Sequence, residues 1–222
     1  MLQSPMEPSS PSAARLLPER LARQIDFLME IDKVKTILRR NRVVSDPQRR
    51  ENDAEHMYHF AAMAMILAEY ANGPVDLLRV LKMILIHDVV EIDAGDAFIY
   101  DAQAQVGKRG REERAADRIF GLLPADQERE MRALWEEFEA EQTPEARFAA
   151  AIDRLQPLMC NYHTHGGAWR EYGITKENVF ALNSKIARGS TELWTHVSRV
   201  LEDAAAKGYM SDGEPAGSES FS

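Results

Sequence analysis

One cysteine, Cys160, stands in a chain of 222 residues. That excludes an intramolecular disulfide and a cysteine-only zinc site, and it fits a reducing compartment. Cys160 itself reads as a small buried apolar residue on a helix. No apolar run reaches the roughly 20 residues that span a bilayer. The amino terminus has no apolar segment after a basic start, so no secretory signal is expected. These absences predict a cytoplasmic protein that does not enter a membrane. Basic residues are in deficit, with 27 Lys and Arg against 36 Asp and Glu, a net charge of −9. A chain so acidic is poorly suited to gripping long nucleic acid through its phosphates. A small anion remains a possible ligand, because a local site can be positive inside an acidic surface. Runs that alternate as strands do are missing too, which predicts an all-α fold.

What is present is ordinary for a globular domain: 45% hydrophobic and 28% charged residues. Residues 1–14 and 211–222 are rich in Ser, Pro and Gly and are expected to be disordered tails. One helical domain is expected over residues 15–210. Leu17, Leu21, Ile25, Leu28, Ile31 and Ile37 or Leu38 mark a first helix by their spacing. Residues 39–53 hold Asp46-Pro47 and five arginines and predict a long basic loop. A second helix is expected over 54–72, with Met57, Phe60, Met63 and Leu67 in the core. A third, over 75–91, is apolar nearly all round and is expected to lie at the centre. Residues 92–108 look irregular. "REERAADR" at 111–118 reads as a solvated helix face. Met131, Leu134, Trp135 and Phe138 form an apolar stripe. Thr143-Pro144-Glu145 is a helix start, with Thr as N-cap, and that helix carries Phe148, Ile152, Leu155 and Met159 past Pro157. Ser190 is a candidate N-cap for the last helix.

The third helix ends in "LIHDVVEIDAGD", residues 85–96. Charges at the end of a buried run need partners or a metal. Adjacent residues on a helix project about 100° apart, so His87 and Asp88 can face one ion only near a helix end or an open groove. One helix upstream, "ENDAEHMYH" places His56 at a helix start. Downstream, "AAAIDRLQPL" places Asp153 among apolar residues, with Arg147 and Arg154 as its nearest cations in sequence. Two imidazoles and two carboxylates suit a divalent Mn, Fe, Co, Ni or Zn ion, and the donor set does not choose among them. His163 and His165 lie two apart, project about 200° from each other on a helix, and so read as loop or pocket residues.

Glu55-His56, His87-Asp88 with Glu91, Gly95-Asp96 and Asp153 occur in the order seen in HD-domain metal-dependent phosphohydrolases. The chain resembles in particular the 5′-deoxynucleotidase group of that superfamily, over residues 25–165. The resemblance implies a single HD-type helical bundle and one divalent ion held by His56, His87, Asp88 and Asp153. It implies that Glu91 and Asp96 act on the attacking water or the leaving group. It also implies a small phosphorylated substrate, a nucleotide, and a homodimer. Removal of a 5′-phosphate from a deoxynucleoside monophosphate is the leading expectation. A cyclic nucleotide, a triphosphate or another phosphoester stays open, as does a metal- or nucleotide-binding module without turnover. Phosphate needs cations, and Arg39, Arg40, Arg42, Arg49 and Arg50 are candidates because the guanidinium fork fits phosphate oxygens. The group commonly carries an Arg followed closely by a Trp before the first His. Here Arg39 matches that Arg, and Arg42 stands where the Trp would be, with a planar group able to stack on a base.

Overall fold

The computed structural model describes residues 18–211. The tails expected at 1–14 and 212–222 lie outside the described residues. Ser211, assigned by composition to the second tail, forms a parallel bridge with Thr175. The elements in chain order are α1 (Glu19–Ile31), β1 (Leu38–Val43), β2 (Asp46–Asn52), α2 (Asp53–Leu67), α3 (Leu77–Ile84), α4 (Glu91–Ala94), α5 (Ala102–Gln105), α6 (Lys108–Phe120), α7 (Ala125–Ala140), α8 (Pro144–His163), α9 (Gly167–Glu171), α10 (Lys176–Asn183) and α11 (Thr191–Ala206). The fold is mostly helical, as expected, with one small hairpin. None of the described helices is long and apolar enough to cross a membrane.

The centre is α8, not the third helix. Its Phe148, Ala149, Ile152, Leu155 and Leu158 are buried, and α2, α3, α7, α11 and β1 pack around it. Thr143 caps it as predicted, its hydroxyl accepting from Ala146 N at 3.2 Å. The helix runs on through Pro157, which removes the one backbone bond that the Asp153 carbonyl would have accepted. The last helix starts as predicted too, with Ser190 Oγ accepting from Leu193 N at 3.0 Å.

The predicted third helix is cut in two. Regular α3 ends at Ile84, and His87–Val90 form a tighter 3₁₀ turn before α4. Leu78 and Leu85 face solvent, so the helix is less central than its apolar composition suggests. The first helix ends at Ile31, short of the expected Ile37 or Leu38, where a 3₁₀ turn leads into β1, and it turns its stripe outward. Leu21, Ile25 and Leu28 are exposed, Phe27 is buried, and the helix is tied by Arg23 to the carbonyls of Gly121 and Leu122.

The largest departure is at 39–53. That segment is an antiparallel hairpin, with Leu38 paired to Asn52, Arg42 to Arg50 and Val43 to Asp46. Its strands carry Arg, Asn, Gln and Glu where strand prediction looks for apolar alternation. Pro47 is tolerated because a two-stranded ribbon has only edges. The inward residue is Asn41, buried and bonded to Asn161 Nδ2 of α8 at 3.2 Å.

Phe148 is fully buried on the central helix. Phe148→Ala should cost about 3–5 kcal/mol, read as a lower midpoint in urea unfolding with an unchanged slope.

Candidate active site

Four segments bring the predicted site residues together, and each has a local reason. At the start of α2, Asn52 and Glu55 form a capping box, with Glu55 N donating to Asn52 Oδ1 at 3.0 Å and Asn52 N to Glu55 Oε2 at 3.1 Å. The box fixes the first turn, which carries Asp53 and His56. The 3₁₀ turn after α3 carries His87 and Asp88 at a helix end, where adjacent residues can face one point. The middle of α8 contributes Asp153. Gly95 ends α4 at φ +76°, a conformation few side chains tolerate, and the chain there turns Asp96 toward the same cleft.

His56 Nε2 lies 3.0 Å from Asp153 Oδ1 and 3.8 Å from Asp88 Oδ2. His87 Nε2 lies 3.0 Å from Asp88 Oδ2 and 3.8 Å from Asp153 Oδ1. His87 Nδ1 donates to the carbonyl of Ile84 at 2.8 Å. A carbonyl only accepts, so Nδ1 keeps its proton, and in the neutral ring Nε2 is the nitrogen whose lone pair is left for an ion. That Nε2 is buried with no hydrogen bond among the described residues. Atoms sharing an ion through bonds of about 2.0–2.2 Å stand roughly 3–4 Å apart, so the separations and the orphaned nitrogen both fit a divalent cation. Phe60 meets the His87 ring edge-on at 5.4 Å, and Phe138 packs on it at 4.7 Å, which locks the imidazole in place.

Arg39 comes from β1. Its guanidinium donates to Asp88 Oδ2 at 2.7 Å and to Asp53 Oδ1 at 3.2 Å. Asp53 was not singled out in the sequence, yet it is fully buried and lies in one cluster with Asp88 and Glu91. An acid in the first turn of a helix next to a capping box reads as a dipole partner, which hides this second role.

Crowded acids titrate unusually. Burial, with Asp88 beside it, lifts the Asp53 carboxyl to about 7. Burial and Asp88 likewise push Glu91 well above the usual range, and burial raises Asp96 against the pull of Arg39. Burial would raise Asp88 as well, but His87 and Arg39 hold it well below the carboxylate range. His56 and His87 do the same for Asp153. Burial alone would depress His87, and the carboxylates of Asp88 and Asp153 outweigh it, raising the imidazole to about 10.

The cleft over this cluster encloses about 410 Å³ and includes Glu91 and Asp96 in its wall. Its cations are Arg39, Arg40, Lys108, Arg154 and Lys185. Arg154 turns to Glu141 at 3.6 Å rather than to its neighbour Asp153. Lys108 pairs at 3.0 Å with Glu112, a buried residue inside the run that composition reads as a solvated face. Arg42 is not in this wall. Its guanidinium pairs with Glu171 at 2.7 Å and lines a separate depression with His165 and Arg170. His163 and His165 do not line the main cleft. The aromatic surface missing from 39–53 is supplied elsewhere, by Phe98, Tyr100 and Trp169. Contiguous sequence offers no signal for that, since these rings come from the segment after α4 and from α9.

Comparison with known proteins gives the family. The HD domain family model matches residues 31–194, and the chain belongs to the HD-domain metal-dependent phosphohydrolase family. The human 5′-deoxynucleotidase HDDC2 is 32% identical over 135 residues, 61% of this chain and 65% of that protein. The chain thus spans just under two thirds of that relative's length. A solved structure described as a predicted metal-dependent phosphohydrolase from Magnetospirillum magnetotacticum is 50% identical, with a TM-score of 0.82 over 87% of this chain and all of its own. A conserved hypothetical protein from Pyrococcus furiosus shares the fold at 24% identity, with a TM-score of 0.58 over 79% of this chain and 99% of its own.

The titrations give a signed prediction for the metal-free protein. His87 is raised from 6.5 to about 10, so its contribution is complete below its unfolded value and is lost as pH rises through 10. Asp53 is raised from 3.8 to about 7, so the fold favours its protonated form and loses stability as pH climbs between those values. Both slopes have the same sign, and the melting temperature in chelator should fall from about pH 5 to pH 9. A flat or rising profile would contradict the cluster as described. A divalent ion in 100-fold excess over its Kd should add about 2.7 kcal/mol, and Asp153→Ala should abolish that gain in a thermal-shift titration.

Proposed function

We propose that the chain is a phosphomonoesterase that uses one divalent ion to remove the 5′-phosphate from deoxynucleoside monophosphates. The observation that carries this reading is the joining, in one cleft, of a four-residue metal-binding set with two further acids, several cations and an aromatic wall. The names of the relatives support the nucleotide part of it, as do Phe98 and Tyr100, whose partly exposed rings in the cleft wall offer a surface for a nucleoside.

A bound divalent ion at His56, His87, Asp88 and Asp153 would supply Lewis-acid charge for the phosphate and a more acidic water. The chain's own groups do the rest. Arg39 bridges Asp88 and Asp53, which holds one ligand in place and puts positive charge at the floor of the cleft. Arg40, Lys108, Arg154 and Lys185 surround the space a phosphate would fill and offset its charge. Glu91 and Asp96 line the cleft beside the ligands, where one can orient water and the other can hand a proton to the leaving ribose oxygen. Burial and the neighbouring Asp88 raise Glu91 well above the usual carboxylate range and burial raises Asp96, a direction that suits a carboxyl acting as an acid. The same proposal includes a homodimer and a cytoplasmic setting. Exposed Tyr58, Ile66 and Leu78 offer apolar surface for the first, and the free buried thiol of Cys160 is compatible with the second.

Phosphate release from a panel of ribo- and deoxyribonucleoside monophosphates with Mn²⁺ or Co²⁺ tests the reading directly. Turnover is expected with 5′-deoxynucleotides. Its absence across the panel, with metal binding confirmed, would overturn it, and activity confined to cyclic esters or triphosphates would reassign the substrate. Glu91→Gln and Asp96→Asn should each lower kcat by about 10²–10⁴, while Co²⁺ affinity stays within about tenfold. Arg154→Ala should act mainly on KM.

A further inference from the structure

Glu51, His59 and Cys160 place a carboxylate, an imidazole and a thiol within mutual reach, outside the ligand set described above. Their centre is not a vacancy. Gln156 Nε2 lies there, donating to Glu51 Oε1 at 2.7 Å, with His59 Nδ1 at 3.3 Å and Cys160 Sγ at 3.4 Å. The cluster is therefore an acceptor cage for one amide nitrogen.

The cage fixes which way Gln156 faces. Turned around, its carbonyl oxygen would press against the Glu51 carboxylate oxygen with nothing to donate between them. Gln156 is fully buried and Glu51 nearly so, which leaves little water to tolerate the reversed amide. The amide oxygen is thus committed to the other side, 3.2 Å from His56 Nδ1. An oxygen there accepts a proton from Nδ1 and leaves Nε2 as a lone pair toward Asp153 and Asp88. His87 obtains the same arrangement from the carbonyl of Ile84. His56 has a side-chain relay in its place.

We propose that Glu51 and Gln156 are positioning residues that lock His56 in the Nδ1-protonated tautomer and so present Nε2 to the metal. The inference rests on the metal-centre reading. Without the relay, the proton of a neutral His56 can settle on Nε2, where Asp153 Oδ1 waits 3.0 Å away, and the ion would have to displace it.

The test uses the full chain, with Co²⁺ affinity measured by chelator competition and the His56 ring nitrogens followed by ¹⁵N NMR in the Zn²⁺-loaded protein. Gln156→Leu should keep its helical circular dichroism and weaken Co²⁺ by about 10–100-fold. Glu51→Gln, which lets the amide turn, should cause a smaller loss in the same direction. In the wild type, His56 should carry a slowly exchanging proton on Nδ1 and bind Zn²⁺ through Nε2. Coordination through Nδ1, or unchanged Co²⁺ affinity in folded Gln156→Leu, would overturn the relay and leave the metal centre standing. No metal binding by the wild type would overturn both. Should Gln156→Leu fail to fold, the wild-type NMR signature decides alone.

Discussion

Asp88 is a buried carboxylate whose Oδ2 has two imidazole nitrogens within 3.8 Å and an arginine at 2.7 Å. Taking such a charge out of water is costly unless other charges surround it. Much of the fold can be understood as the means of surrounding it. The capping box aims the first turn of α2 at this point, α3 stops short so that a 3₁₀ turn can place His87 and Asp88 side by side, and α8 brings Asp153 from the centre. The hairpin closes the set by inserting Arg39.

A cluster with acids on every side has two ways to balance its charge. Protons can be retained, as the raised Asp53, Glu91 and His87 indicate, or a cation can enter. The Nε2 of His87 makes no hydrogen bond among the described residues, so it has only its proton to give up in that exchange. Metal binding and protonation are therefore competing solutions to one electrostatic problem. The acids outside the proposed ligand set, Glu91 and Asp96, lie close enough to feel the same field.

The proposed metal ligands were legible because chemistry of this kind leaves odd residues in apolar surroundings. His87, Asp88 and Asp153 each interrupt a hydrophobic pattern, and the order of the motifs resembles one family. The hairpin was not legible. Its inner face meets polar partners such as Asn161 in place of an apolar core, so the alternation that announces a strand is absent. Glu112 was hidden in a charged run, although Lys108 and the cleft account for its burial. The outward stripe of α1 shows the reverse failure. Helical spacing identified the helix, but spacing alone cannot say which side finds a partner.

The sequence by itself determined most of the long helices, the Thr143 and Ser190 caps, the family and the four residues fit to hold an ion, because each depends on local spacing or on a residue type that burial makes conspicuous. Tertiary structure decided what the cleft contains beyond them. Asp53 joins the acids, Arg42 leaves for Glu171, and the aromatic wall comes from Phe98, Tyr100 and Trp169. These are pairings across distant segments, set by how α8, the hairpin and α9 pack together, and no local pattern in the chain encodes them.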